Sequence, residues 1–202
     1  MNKLFNRLSR SPFGVRIAVL TTYLALVNSF ALFVVYPALK SSGIVQAAAS
    51  LALYGLFSVP FFVYFFKRSL SKPKASLVMI GLGLLLIASI GQCIVMHAAT
   101  SVIIVHALFY LYAGLVEETL WRGTLWNIVS EKVGATWKVW GIVTAHFVVL
   151  HIPFALLDKP APLFFIVQVV VLGSALGLLR ILTKGVTGSV LLHAVVNMVV
   201  YT

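Results

Sequence analysis

Seven stretches of this chain are apolar almost without interruption: residues 17–38, 45–66, 75–96, 102–121, 139–157, 161–179 and 186–201. Each is close to the roughly 20 residues with which a helix crosses the ~30 Å hydrocarbon layer of a bilayer. No water pairs with backbone N–H and C=O groups in that layer, so a segment of this kind must bond them internally as a helix. The pattern predicts an all-α, polytopic membrane helix bundle with about seven transmembrane helices. Composition agrees, because only 9% of the residues are charged, against about a quarter in soluble domains. The gaps carry turn and breaker residues such as Ser42-Gly43, Lys72-Pro73, Gly134, Lys159-Pro160 and Lys184-Gly185, and they are too short for a soluble domain. Residues 1–202 therefore read as a single integral membrane domain.

The net charge of +11 could point to nucleic acid. Its distribution points elsewhere, because the basic residues sit in short clusters between the apolar runs. Lys67, Arg68, Lys72 and Lys74 follow the second run, Lys132 and Lys138 the fourth, and Arg180 and Lys184 the sixth. Cytoplasmic loops collect Lys and Arg, so this alternation predicts a cytoplasmic N-terminus, with anionic lipids at the cytoplasmic face and no nucleic-acid partner. A multi-pass protein of the cell inner membrane is expected. Residues 1–14 place Leu4, Phe5 and Leu8 among Lys3, Arg7 and Arg10, which suits either a basic amphipathic segment on the membrane surface or a solvated basic tail. The first run is longer than the apolar core of a signal peptide and reads as a retained helix. Trp121, Trp126, Trp137 and Trp140 all flank the same basic gap, as an interfacial aromatic belt would. The single cysteine, Cys93, excludes an intramolecular disulfide.

Ionisable residues inside spanning helices cost roughly 2.5–3.5 kcal/mol each on insertion scales, so those present face a bundle interior or a water-filled cavity. Of the four acidic residues, Glu117 and Glu118 stand side by side late in the fourth run, with Arg122 four residues beyond Glu118. On a helix Glu118 and Arg122 share a side, while Glu117 points about 100° away and is left to another partner. Phe147 and His151 share a face of the fifth run, and His193 and Asn197 share a stripe of the seventh. A carboxylate, two imidazoles and an amide from three helices are the parts that water attack on an amide needs. The same residues also admit an acidic pair marking a helix end, polar glue between helices, or the proton relay of a transporter. His97, His106 and His146 read as hydrogen-bonded core residues.

In order along the chain, Glu117-Glu118 with Arg122 forms EExxxR, Phe147 with His151 forms FxxxH, and His193 with Asn197 forms HxxxN. This set resembles the CAAX protease and bacteriocin-processing (CPBP, or Abi) intramembrane protease family, over residues 117–197, and is similar to the Ras-converting-type CAAX prenyl endopeptidases. The resemblance implies an intramembrane endopeptidase that hydrolyses a peptide bond of a membrane-associated peptide or protein. Glu117 and His151 would activate water, His193 and Asn197 would stabilise the oxyanion, and Glu118, Arg122 and Phe147 would support them. It implies no cofactor, with zinc on Glu117, His151 and His193 as the alternative; there is no HExxH helix. Well-known members are usually described with eight helices, which makes eight the alternative count here. A non-proteolytic membrane scaffold or bacteriocin-immunity protein of the same family is the alternative function.

Overall fold

A computed structural model describes residues 10–35, 75–96 and 100–200, together with positions 37, 49 and 52. Its elements are α1 (Phe13–Phe30), continued by a π-helical turn over Ala31–Val35, then α2 (Ala75–Met96) and α3 (Thr100–Glu118). A π-helical segment, Thr119–Leu125, joins α3 to α4 (Trp126–Val133), and α5 (Thr136–Asp158), α6 (Pro162–Thr183) and α7 (Thr187–Val200) follow. No strand occurs among the described residues.

Six of the seven apolar runs coincide with these helices, while the run at 45–66 apart from positions 49 and 52, the basic residues Lys67, Arg68, Lys72 and Lys74, residues 1–9 and His97 lie outside the described residues. Among the described residues four helices are long and apolar enough to cross a membrane: Phe13–Val34, Ile103–Val133, Thr136–Leu157 and Pro162–Thr183. Val78–Gly91 and Thr187–Val200 are shorter apolar helices. At 1.5 Å per residue the latter covers about 21 Å, less than a full hydrocarbon layer. Large apolar side chains face outward, with Leu163 and Leu182 exposed at 76% and 77%. Lipid, not water, is the solvent such a surface suits.

The sequence leaves the end of the fourth run open, since residues 122–131 could continue it as a helix leaving the membrane; the run does not stop near Trp121. Its helix widens into the π segment, in which Thr124 Oγ1 donates to the Thr119 carbonyl at 3.2 Å, and continues to Val133. It ends at Gly134, whose φ of +73° a side chain would resist. The extension turns Trp121 and Trp126 into the protein, at 0% and 7% exposure, and Trp140 is half-buried. Only Trp137 among the four keeps the open position expected of an aromatic belt. The belt expected from the sequence is corrected accordingly: the helix carries two of its members inside.

α7 packs against α2, α3 and α6, while α5 lies along α6 and α1 crosses the π segment, α4 and α5. Arg16 near the start of α1 bonds Glu131 near the end of α4 at 2.7 Å, so those two ends share one side of the bundle. Small residues set the closest approaches. A Cβ on Gly114 would lie 3.0 Å from the Val190 carbonyl oxygen and 3.4 Å from the Ala194 amide nitrogen, so the backbones of α3 and α7 nearly touch. Glu117 and Glu118 stand one turn further along α3, and His193 belongs to the same contact, its Cβ 3.6 Å from that added Cβ.

Gly114→Leu is therefore expected to push α3 from α7 and lower stability by about 1–3 kcal/mol. Thermal unfolding in detergent reads this as a lower midpoint. Gly141→Ala, where a Cβ meets nothing within 4 Å, is expected to leave the midpoint unchanged or slightly raised.

Candidate active site between α3, α5, α6 and α7

The adjacent carboxylates at the end of α3 diverge as helical geometry requires. Glu118 is fully buried. Its Oε1 accepts from Arg122 Nη1 at 3.0 Å and from His193 Nδ1 at 2.9 Å. Arg122 donates its other arm, Nη2, to the Gly173 carbonyl of α6 at 3.0 Å. Its guanidinium lies 4.3 Å over the ring of Phe147, a desolvated cation–π contact. A Cβ on Gly173 would come within 3.1 Å of Phe147 and 3.5 Å of Arg122 Nη2, so glycine makes room for both. One buried charge pair thus ties the α3 end to α5, α6 and α7.

Glu117 turns the other way. Its Oε2 lies 3.8 Å from His193 Nε2 and 3.9 Å from His151 Nε2. Those separations exceed hydrogen-bond length and are in the range where one solvent molecule can mediate. The two rings are oriented through their far nitrogens. His151 Nδ1 faces the Phe147 carbonyl at 2.7 Å; a carbonyl only accepts, so Nδ1 carries the proton and Nε2 presents a lone pair. His193 Nδ1–H is likewise taken by Glu118, which aims Nε2 at Glu117. Glu117 Oε2 is buried and has no hydrogen-bond partner among the described residues.

These atoms open on a pocket of about 50 Å³, room for a small number of water-sized groups. Glu117, His151, His193 and Asn197 all line it, with Phe147 beside them, and Glu118 and Arg122 stand immediately behind. The structure therefore brings together all seven residues singled out from the sequence. It adds others: Phe154 of α5, Phe165, Val169 and Leu172 of α6, and Asn28 of α1. The apolar ones carry no mark that separates them from lipid-facing neighbours. Asn28 did have a signal, a polar side chain inside an apolar run, but with no chemical partner nearby in sequence to give it meaning.

His146 takes the core role expected of it. Trp121 Nε1–H donates to His146 Nδ1 at 3.1 Å, and the opposite nitrogen reaches Thr21 Oγ1 of α1 at 2.9 Å. Trp121 in turn packs edge-on against Phe147, with ring centroids 5.2 Å apart. His106 departs from the hydrogen-bonded role expected of it: it stacks edge-to-face with Tyr110 at 6.2 Å, its Nδ1 is buried with no hydrogen-bond partner among the described residues, and it does not line the pocket. No group of three or more His, Cys, Asp or Glu arranged to hold a metal ion occurs among the described residues.

A carboxylate facing two oriented imidazoles and an amide, in a pocket walled by apolar groups, can remove a proton from water and stabilise a developing oxyanion. No curated protein and no solved structure matches the chain. Residues 99–199, half of the chain, match the family model described as type II CAAX prenyl endopeptidase Rce1-like. That stretch spans α3 to α7 and contains every motif residue around the pocket. On that match, the chain belongs to the type II CAAX prenyl endopeptidase Rce1-like family, a family of proteases.

Proposed function

We propose that this protein is an intramembrane endopeptidase that hydrolyses a peptide bond of a membrane-associated peptide or protein. The supporting observation is the placement of Glu117 Oε2 within 3.9 Å of two imidazole nitrogens whose orientation is fixed from behind. Water between these groups gives one proton to Glu117 and hydrogen-bonds His151 Nε2 with the other. Its oxygen adds to the scissile carbonyl carbon. The oxyanion is met by the Asn197 amide and by His193 Nε2, which donates when the ring carries both protons. The Glu118 carboxylate, 2.9 Å from Nδ1, offsets that charge. Glu117 then passes its proton to the departing nitrogen as the C–N bond breaks, leaving a carboxylic acid and an amine.

The reaction in this reading uses no metal. Tetrahedral zinc, about 2.0–2.2 Å from each donor, would set donor separations of about 3.3–3.5 Å. The observed 3.8 and 3.9 Å are wider than that. Were zinc bound, Glu117, His151 and His193 would hold it and it would polarise the attacking water. Lys132, Lys138 and Lys184 would face anionic lipid headgroups in the cell inner membrane, whereas Arg180 turns onto the protein, its Nε donating to the Arg122 carbonyl at 3.0 Å.

Purified protein in vesicles is expected to cleave quenched fluorescent peptides ending in Cys-aliphatic-aliphatic-X, with or without a farnesyl group on the cysteine. Glu117→Gln and His193→Ala are each expected to reduce turnover by about 10³-fold or more while the protein stays folded and inserted. Asn197→Ala is expected to lower kcat by about 10²–10³-fold with little change in KM. Full activity in the Glu117 and His193 variants would remove the proposal. Prolonged treatment with a strong chelator is expected to leave the rate unchanged. Loss that added zinc restores would instead establish the metal-dependent chemistry.

A further inference from the structure

Four of the described residues lining the pocket carry the proposed chemistry, five are apolar, and Asn28 is neither. A peptide that reaches Glu117 brings its own main-chain N–H and C=O groups into this space. Aromatic and aliphatic walls cannot pair them, and an unpaired peptide group in apolar surroundings is strongly unfavourable. Asn28 offers a primary amide, with two donors and an acceptor. Apart from Asn197, it is the neutral lining group able to answer both halves of a peptide unit.

Its setting suits that task. Asn28 Nδ2 donates to the Leu150 carbonyl of α5 at 3.4 Å, the long edge of a hydrogen bond. The amide is thus anchored at one hydrogen while the side chain lines the pocket. Seven residues earlier on the same face of α1, Thr21 bonds His146 at 2.9 Å, and Leu24 between them is fully buried. The helix that presents Asn28 is therefore braced against α5 independently of Asn28. α1 also lies outside the stretch matched to the family, residues 99–199.

We infer that Asn28 is a substrate-contacting specificity residue, whose side-chain amide hydrogen-bonds a main-chain amide group of the peptide beside the scissile bond. The inference rests on the proteolytic reading given above.

The test is a double-mutant cycle between protein and peptide. The probes are the quenched Cys-aliphatic-aliphatic-X peptides and a set in which one amide at a time near the cleavage point is N-methylated. For one amide position, methylation is expected to lower kcat/KM of the wild type by about 10–100-fold. Asn28→Leu should lower kcat/KM for the unmodified peptide by a similar factor, and methylation at that position should then cost little more. Thr21→Val removes the other α1–α5 bond without touching the pocket, and should leave the wild-type penalty for methylation intact. If Asn28→Leu does not fold, Asn28→Ser, which keeps a shorter polar group, is read by the same cycle. Losses that simply multiply at every position, or an Asn28 variant with wild-type kcat/KM, overturn the assignment while the protease reading stands. A wild-type protein that cleaves none of the peptides overturns the protease reading itself, and the assignment with it.

Discussion

A single carboxylate oxygen, Glu118 Oε1, accepts from Arg122 and His193 at once, and the geometry of the pocket depends on it. Both partners of the Glu118–Arg122 pair are shielded from solvent. Taking such charges out of water is costly, and their attraction offsets the cost only when the remaining donors are also satisfied. Arg122 meets that condition in part, through the Gly173 carbonyl and the face of Phe147, while its Nε and Glu118 Oε2 are buried with no hydrogen-bond partner among the described residues. Removing one partner of a buried pair leaves an uncompensated charge and typically costs about 3–5 kcal/mol. The arrangement of α3, α6 and α7 around this pair is correspondingly hard to deform. His193 inherits its orientation from it, and His151 is turned by the neighbouring Phe147 carbonyl.

Two adjacent acidic residues thus acquire opposite surroundings from the helix alone. A step of about 100° sends Glu118 into the protein and Glu117 into the pocket. The π segment that follows makes the first placement workable. All seven of its residues are buried, Arg122 among them, so a helix that might have left the membrane near Trp121 stays packed for another turn. π-helical turns are uncommon and are found frequently at functional sites.

The half of the chain outside the family match contributes more than a membrane anchor. Thr21 and Asn28 reach α5 from α1 at the level of His146 and Leu150. The first supports Trp121 through His146, and Trp121 packs against Phe147. The second forms part of the pocket wall. Positions with no motif of their own therefore shape the same cavity as the motif residues.

The helical class and most helix positions were legible from the sequence, because in lipid a backbone has few ways to satisfy its own polar groups. Residues 75–96 were delimited as the structure has them. Residues sharing one helix face, Glu118 with Arg122 or His193 with Asn197, were legible because helical spacing is local. The continuation of α3 past Trp121 was legible only as an open alternative, and beyond reach were the burial of Trp121 and Trp126 and the roles of Gly114, Gly173 and Asn28. Each depends on what a second helix presents at that height: the Val190 carbonyl for Gly114, the Phe147 ring for Gly173, the Leu150 carbonyl for Asn28. Periodicity within one segment determines which side chains share a face. Only the packing of segments distant in sequence decides which faces meet, how closely, and which atoms end up within bonding distance.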